Sequence, residues 1–209
     1  MVNGYSSRKR GNRKEYRTLV IVCEGKKTER NYFNRYRERK SGLLILTPNS
    51  SVTDPENLVD FALSQIKKYD LDLANGDEVW CVFDADRHTD KNIKNAKELA
   101  EDKMKLCLSN PCFELWYLLH IYYFENRVST SEVHNKLADY ITNFDKVKDY
   151  FDLFLPKRDK AIQNAKRLNQ KHKTTRTELL STQSNPSTQV FQLVEYILDT
   201  IQKNKRLKL

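Results

Sequence analysis

The 209-residue sequence contains no long hydrophobic run, so a transmembrane helix is not expected. Its apolar stretches are much shorter than the roughly 18 residues that cross a bilayer, and its polar, basic start has no apolar signal-peptide core. Cysteine is scarce as well. The four cysteines lack the paired spacing of structural zinc sites and fall in or beside apolar stretches, which predicts buried, reduced thiols. These absences favour a cytoplasmic protein without a membrane anchor.

Acidic residues are too few to balance the basic ones. The chain has 37 Lys and Arg against 28 Asp and Glu, a net charge of +9 at pH 7. This excess favours a polyanionic partner, although composition does not distinguish nucleic acid from an acidic protein or a membrane surface. Basic residues cluster before Arg17, between Lys157 and Arg176, and at the end of the chain. We expect residues 1–16 to form a mobile basic arm.

An apolar and aromatic run from Glu78 to Phe83 ends in two acids, Asp84 and Asp86. The run is typical of a parallel strand that helices cover on both faces. Residues two apart on a strand point to the same side, so both carboxylates would project from its carboxyl end. Two like charges this close repel unless a cation or a shared proton offsets them. The alternative is that each Asp caps a turn or a helix.

Strand-like and helix-like segments alternate through the first 125 residues. Apolar strands are predicted near residues 18–23, 43–47, 79–83 and 105–108, with helices between them. The alternation predicts an α/β fold with a mostly parallel sheet of about four strands, flanked by helices. Later segments at residues 129–141, 157–170 and 187–202 have helical spacing. We therefore expect a catalytic domain over 17–125 and a helical extension, 126–209, packed on it.

A third acid, Glu24, follows the first predicted strand. If the first and third strands are neighbours, as in flavodoxin-like sheets, Glu24 meets the Asp84 and Asp86 pair at the topological switch point. A cluster of carboxylate oxygens suits Mg²⁺ or Mn²⁺, which retain open positions for a substrate phosphate. The sequence thus predicts a divalent metal site at this end of the sheet.

The segment from Ser109 to His120 predicts a buried helix after the fourth strand, with Pro111 in its first turn. Glu114 lies near the helix start, where it either caps the helix dipole or adds a further ligand to the metal site. His120 is interpreted as a core histidine, the more common place for a histidine on an apolar helix.

Several motifs together resemble known protein families. Glu24-Gly25 and Asp84-x-Asp86 resemble the acidic site of Toprim domains, which occur in topoisomerases, primases and overcoming-lysogenization-defect nucleases. The motifs Cys-Glu-Gly-x-x-Thr-Glu-x-x-Tyr-Phe, Phe-Asp-x-Asp, Ser-Asn-Pro-x-Phe-Glu-Leu-Trp and Asn-Pro-Ser-Thr-x-Val more closely resemble the RloB family, Toprim-like proteins that include the AbiL abortive-infection component. This similarity spans about Leu19 to Leu198.

The resemblance implies a Toprim/Rossmann-like fold and a Mg²⁺-dependent or Mn²⁺-dependent nuclease in bacterial phage defence. It further implies an ATPase partner of the ABC or AAA type and an RNA substrate such as tRNA in preference to DNA. The sequence leaves open whether the chain forms homo-oligomers. By matched position, the metal ligands are Glu24, Asp84 and Asp86, with Glu29 and Glu114 as additions. The predicted catalytic residues are Glu24, Asp84, Asp86, Glu114 and Lys26. General Toprim nucleases often have an acid sooner after Glu-Gly, and an extra lysine here shifts it to Glu29.

Basic residues beside the acidic site and on one later helix are candidates for nucleic-acid binding. Lys26 and Lys27 precede the first helix, where charge and helix N-terminal amides suit a phosphate. The predicted nucleic-acid-binding residues are Lys26, Lys27, Arg87, His88, Lys157, Arg158, Lys160, Lys166 and Arg167. Such contacts give an affinity that falls steeply with salt.

Other functions fit the sequence less well. A haloacid-dehalogenase phosphatase has Asp-x-Asp after its first strand, whereas Asp84 follows the third. A dinucleotide-binding domain needs a Gly-x-Gly-x-x-Gly loop, which is missing. A topoisomerase would need a further tyrosine domain. The remaining alternative is a non-catalytic, basic nucleic-acid-binding or regulatory subunit with a structural cation.

Overall fold

The computed structural model describes residues 17–25, 27–39 and 41–206. The predicted basic arm of residues 1–16 and the candidate catalytic residue Lys26 lie outside the described residues. None of the helices in the described part of the chain is long and apolar enough to cross a membrane.

Five strands form one mixed, mostly parallel sheet in the order β2-β1-β3-β4-β5. The strands are β1 (Arg17–Cys23), β2 (Leu43–Leu46), β3 (Glu78–Asp84), β4 (Lys105–Asn110) and β5 (Ser187–Thr188). The first four are mutually parallel, and β5 pairs antiparallel with β4. The α/β fold predicted from the alternation is therefore confirmed, and β1 and β3 are neighbours as the metal-site hypothesis required.

Helices cover both faces of the sheet. They are α1 (Thr28–Asn34), α2 (Pro55–Lys68), α3 (Asp90–Ala100), α4 (Glu114–Ile121), α5 (Thr130–Ala138), α6 (Phe151–Phe154), α7 (Arg158–Thr174) and α8 (Val190–Arg206). Side chains that cap the helix N-termini explain several of these boundaries. Asp54 accepts from two backbone N–H groups of α2, and Thr89 and Ser129 form capping boxes with α3 and α5.

The sheet separates two hydrophobic cores because alternate residues of each strand point to opposite faces. On β3, Trp80 and Val82 belong to one core, and Val79, Cys81 and Phe83 to the other. The smaller core packs against α2 and α3. The larger one contains residues of α1 and α4 and also of α5, α6, α7 and α8. The C-terminal helices thus share a core with the α/β part of the chain.

Two local predictions were wrong. The last helix was expected from residue 187, but it begins at Val190, and residues 187–188 form β5, which extends the predicted sheet of about four strands to five. The Ser109 hydroxyl lies 2.9 Å from that of Thr188, so buried polar contacts rather than apolar alternation join this strand to β4. Pro111 was expected in the first turn of α4. Instead β4 continues to Asn110, the chain turns at Pro111 through a cis peptide bond, and α4 begins at Glu114.

Candidate functional site

Adjacent strand ends bring two of the predicted acids together. Cys23 pairs in register with Val82, so Glu24, directly after β1, lies beside the Phe83–Asp84 end of β3. The backbone N–H of Asp84 donates to Glu24 Oε2 at 3.3 Å. This is the switch point of the sheet, because the chain leaves β1 toward β2 and leaves β3 toward β4. The predicted convergence of Glu24 with Asp84 is present in the structure.

Two more acids complete the cluster from flanking helices. Glu29 lies in the first turn of α1 and is only 5% exposed. A Cβ at Gly25 would overlap its carboxylate, so glycine lets the backbone approach this group closely. Glu114 lies in the first turn of α4 and is also buried. A cavity of about 480 Å³ is lined by all five predicted acids, Glu24, Glu29, Asp84, Asp86 and Glu114.

The buried carboxylates make one another harder to ionise. Burial, followed by the neighbouring Glu114 and Glu24 carboxylates, raises the pKa of Glu29 from 4.5 to about 7. Burial also raises the pKa of Asp84 well above its ordinary value, and four other carboxylates add to the effect: those of Glu29, Glu114, Asp86 and Glu24. The folded chain therefore gathers carboxyl groups at a place where burial and mutual repulsion oppose their ionisation.

Two histidines lie against individual acids of the cluster. His88 Nε2 is 3.1 Å from Glu24 Oε2, and both side chains are buried, at 5% and 10% exposure. His134 Nε2 of α5 is 3.5 Å from Glu114 Oε2. Burial tends to raise the pKa of Glu114, but the His134 imidazole and the backbone N–H of Glu114 outweigh it and lower that pKa. Each of these two carboxylates thus has an imidazole nitrogen beside it.

Asp84 retains an unpaired oxygen at the centre of the cluster. Its Oδ1 is buried and makes no hydrogen bond within the described part of the chain. Buried polar atoms are almost always paired, and an acceptor among other acceptors has few partners available except a proton or a cation. Carboxylate oxygens are the preferred ligands of Mg²⁺ and Mn²⁺. The donor set of this cavity therefore fits a hard divalent cation.

Asp86 occupies the edge of the cavity. It is exposed, and its Oδ2 accepts a 2.8 Å hydrogen bond from Thr130 at the start of α5. Asp86 and Thr130 also line a neighbouring groove of about 820 Å³. The acidic cavity and this groove are thus adjacent and share one wall.

Three basic residues surround the acids. Lys27, Arg87 and Lys146 line the cavity, and all three are exposed. Among the described residues, none of the three has a carboxylate partner within ion-pair distance. Their charges are therefore available to an anionic ligand that reaches the carboxylates.

The basic residues at the start and middle of α7 do not line this cavity, and most contact other parts of the protein. Lys166 pairs with Glu195 at 2.6 Å, and Lys160 donates to the Ile121 carbonyl. The Arg167 guanidinium lies 3.8 Å from the centre of the Tyr123 ring. Arg158 is close to Asp159, and Lys157 is exposed. Nucleic-acid binding by these five residues stays a prediction, and the structure does not place them at the acids.

Sequence reasoning missed residues that reach the site from distant parts of the chain. Thr130, His134 and Lys146 come from the helical extension, and no local motif marks them. Cys112 was interpreted only as a buried thiol, but it also lines the acidic cavity. The buried imidazole of His88 lies against Glu24, and the contact of His88 with nucleic acid stays a prediction. His120 is a core histidine as predicted: burial lowers its pKa to about 4, and Nδ1 lies 2.8 Å from the Trp116 carbonyl.

The fold and site define an α/β protein with a carboxylate cluster at the switch point of a mostly parallel sheet. The chain matches the family model described as RloB-like protein over residues 19–197, and it therefore belongs to the RloB-like family. No curated protein and no solved structure matches it significantly.

Proposed function

We propose that this protein is a metal-dependent nuclease that hydrolyses phosphodiester bonds. The observation that carries the proposal is the buried, unpaired Oδ1 of Asp84 among carboxylates that raise its pKa. Such an arrangement costs stability unless a cation joins it, and functional sites are where proteins keep such costs. A net charge of +9 makes the acidic cavity all the more unusual.

The cation would be held by Glu24, Asp84 and Asp86, with Glu29 beside them. A bound Mg²⁺ or Mn²⁺ supplies charge stabilisation for the phosphate and activates water. His88 holds the Glu24 carboxylate in place through its 3.1 Å contact. Thr130 does the same for Asp86. Partners of this kind orient metal ligands, and mutating them typically lowers metal affinity about 10–100-fold.

The substrate would enter along the basic rim. Lys27, Arg87 and Lys146 place positive charge beside the acids, so a phosphate backbone is attracted to the same cavity that holds the cation. The adjoining groove of about 820 Å³ offers space for nucleotides that flank the scissile phosphate. Within the proposal RNA, such as tRNA, is the first substrate and DNA the second.

Family membership supports a role in defence against phage. We propose that the protein acts with an ATPase of the ABC or AAA type, which senses infection and releases the nuclease from inhibition. This part of the proposal rests on the resemblance to RloB and AbiL proteins.

Purified protein is incubated with tRNA, single-stranded RNA and double-stranded DNA, with Mg²⁺, Mn²⁺ or EDTA. We expect cleavage that needs the metal, with RNA cut more efficiently than DNA. Asp84→Ala and Asp86→Ala should lower the rate at least about a hundredfold while nucleic-acid binding is retained, since even outer partners of a metal cost up to that much.

Asp60→Asn serves as the matched control because Asp60 is an exposed acid of α2, away from the cavity. It should cleave as the wild type does. Binding without any metal-dependent cleavage, including in the presence of the ATPase partner, would favour the non-catalytic subunit instead. Cleavage that persists in Asp84→Ala would exclude this site as the catalytic centre.

A further inference from the structure

One end of the acidic cavity has a different ligand chemistry from the rest. Cys112 follows the turn after β4, Glu114 begins α4, and His134 lies on α5. One ligand atom from each residue, a sulfur, an oxygen and a nitrogen, lies within 4.8 Å of the other two. Cys112 is 1% exposed, so the thiol is held at the cavity wall rather than in solvent.

Two buried atoms that lack a hydrogen bond point to a ligand in this cavity. His134 Nε2 is buried and has no hydrogen-bond partner among the described residues, although Glu114 Oε2 is only 3.5 Å away. The buried Asp84 Oδ1, also unpaired, belongs to the same cavity. A metal ion would give this buried imidazole nitrogen a partner, and the neighbouring thiol and carboxylate would be its other ligands.

We propose that Cys112, Glu114 and His134 form a second metal site, which takes a borderline-soft divalent ion such as Zn²⁺. Thiolate and imidazole suit Zn²⁺ and bind Mg²⁺ poorly, whereas the oxygen-only set of Glu24 and Asp84 has the opposite preference. Metal binding alone tests this second site, so the proposal does not depend on whether the protein is a nuclease.

The geometry needs only a small adjustment. Bond lengths of about 2.0 to 2.3 Å around a tetrahedral Zn²⁺ separate its ligand atoms by roughly 3.3 to 3.8 Å. Atoms within 4.8 Å of one another reach these separations by side-chain rotation of about an ångström. The thiol would bind as the thiolate and release its proton to solvent. Three protein ligands leave one position open, the arrangement typical of zinc centres that accept a further ligand.

Metal binding here would also join two parts of the fold. Cys112 and Glu114 belong to the β4–α4 connection, and His134 comes from the helical extension. An ion that holds all three would fasten α5 to the sheet. Because a ligand that binds only the folded state stabilises it, a hundredfold excess over Kd should raise Tm by about 5–10 °C for a chain of this size.

The full-length protein, stripped of metal with a chelator, is titrated with Co²⁺ as a spectroscopic substitute for Zn²⁺. We expect one equivalent to produce an intense thiolate-to-cobalt absorption band that Zn²⁺ abolishes and Mg²⁺ does not. Cys112→Ser should lose the band, and His134→Gln should lower the affinity at least about tenfold, the loss typical even of outer partners. Zn²⁺ should raise the Tm of the wild type by more than it raises that of His134→Gln.

Two control variants separate this site from its surroundings. Cys107→Ser replaces a buried cysteine of β4 outside the cluster and should keep the band. Glu24→Gln alters the oxygen site and should also keep it. A folded wild type that shows no thiolate band would overturn the proposal. A band that survives in Cys112→Ser would also overturn it. The same holds if Glu24→Gln removes the band and His134→Gln leaves it intact.

Discussion

The substitution Glu29→Gln should stabilise the metal-free protein near neutral pH. The pKa of Glu29 rises from 4.5 to about 7 on folding, first because the side chain is buried and then because of nearby carboxylates. Each pKa unit corresponds to about 1.36 kcal/mol, so ionising this group in the folded protein costs about 3 kcal/mol. Glutamine has nearly the same shape as glutamate but carries no ionisable proton, so the substitution removes the titration and keeps the side-chain volume.

The sign of the pH dependence follows from linkage. A carboxyl group with a raised pKa in the folded state takes up a proton on folding, so stability declines as the pH rises from 4.5 to about 7. Glu29→Gln removes this decline. Its advantage should be below about 0.5 kcal/mol at pH 4.5 and about 3 kcal/mol at pH 7 to 8, or roughly 6–12 °C in Tm.

Thermal and urea unfolding in EDTA at the two pH values measure this difference. Glu98→Gln is the control because the Glu98 side chain is exposed on α3, and it should change little. Saturating Mg²⁺ should narrow the gap between wild type and Glu29→Gln, because the cation offsets the repulsion. The reasoning is refuted if Glu29→Gln is no more stable than wild type at pH 8, or if its advantage is the same at pH 4.5.

Three further substitutions test how the site is built and approached. Gly25→Ala should displace the Glu29 carboxylate and lower Mn²⁺ affinity about 10–100-fold, as measured by calorimetry, with only a small change in Tm. His88→Ala removes the partner of Glu24 and should weaken Mn²⁺ binding by a similar factor in the same titration; unchanged affinity would mean that the contact is only structural. Lys27→Ala should reduce the slope of log K against log salt for single-stranded RNA by about 0.7, and an unchanged slope would exclude this lysine from the interface.

The order of apolar and polar residues along short segments was enough to predict most of the sheet and the central carboxylates of the acidic site. Each of the first four strands is an apolar run, and the helical segments between them favour parallel pairing. Glu24 comes directly after β1, and Asp84 is the last residue of β3. Because both strands end at the switch point of the sheet, the strand order alone brings the two carboxylates together. Glu114 was placed correctly in the first turn of α4, even though that helix begins later than Pro111 suggested.

The remaining features depend on tertiary contacts that leave little trace in the sequence. The β5 strand has two polar residues and forms through pairing with β4, so period-two alternation could not reveal it. His134 lies beside the apolar stripe of α5 and looks like any helix-surface residue until α5 packs near α4. Cys112 was recognised as buried, but burial alone does not indicate what the thiol faces.

The most direct test of the central claim is a crystal structure grown or soaked with Mn²⁺ and measured with anomalous scattering. The account predicts an anomalous peak about 2.1 Å from carboxylate oxygens of both Glu24 and Asp84, and no such peak in Asp84→Ala. A crystal that binds Mn²⁺ elsewhere and leaves the space between these two side chains without a peak would contradict it.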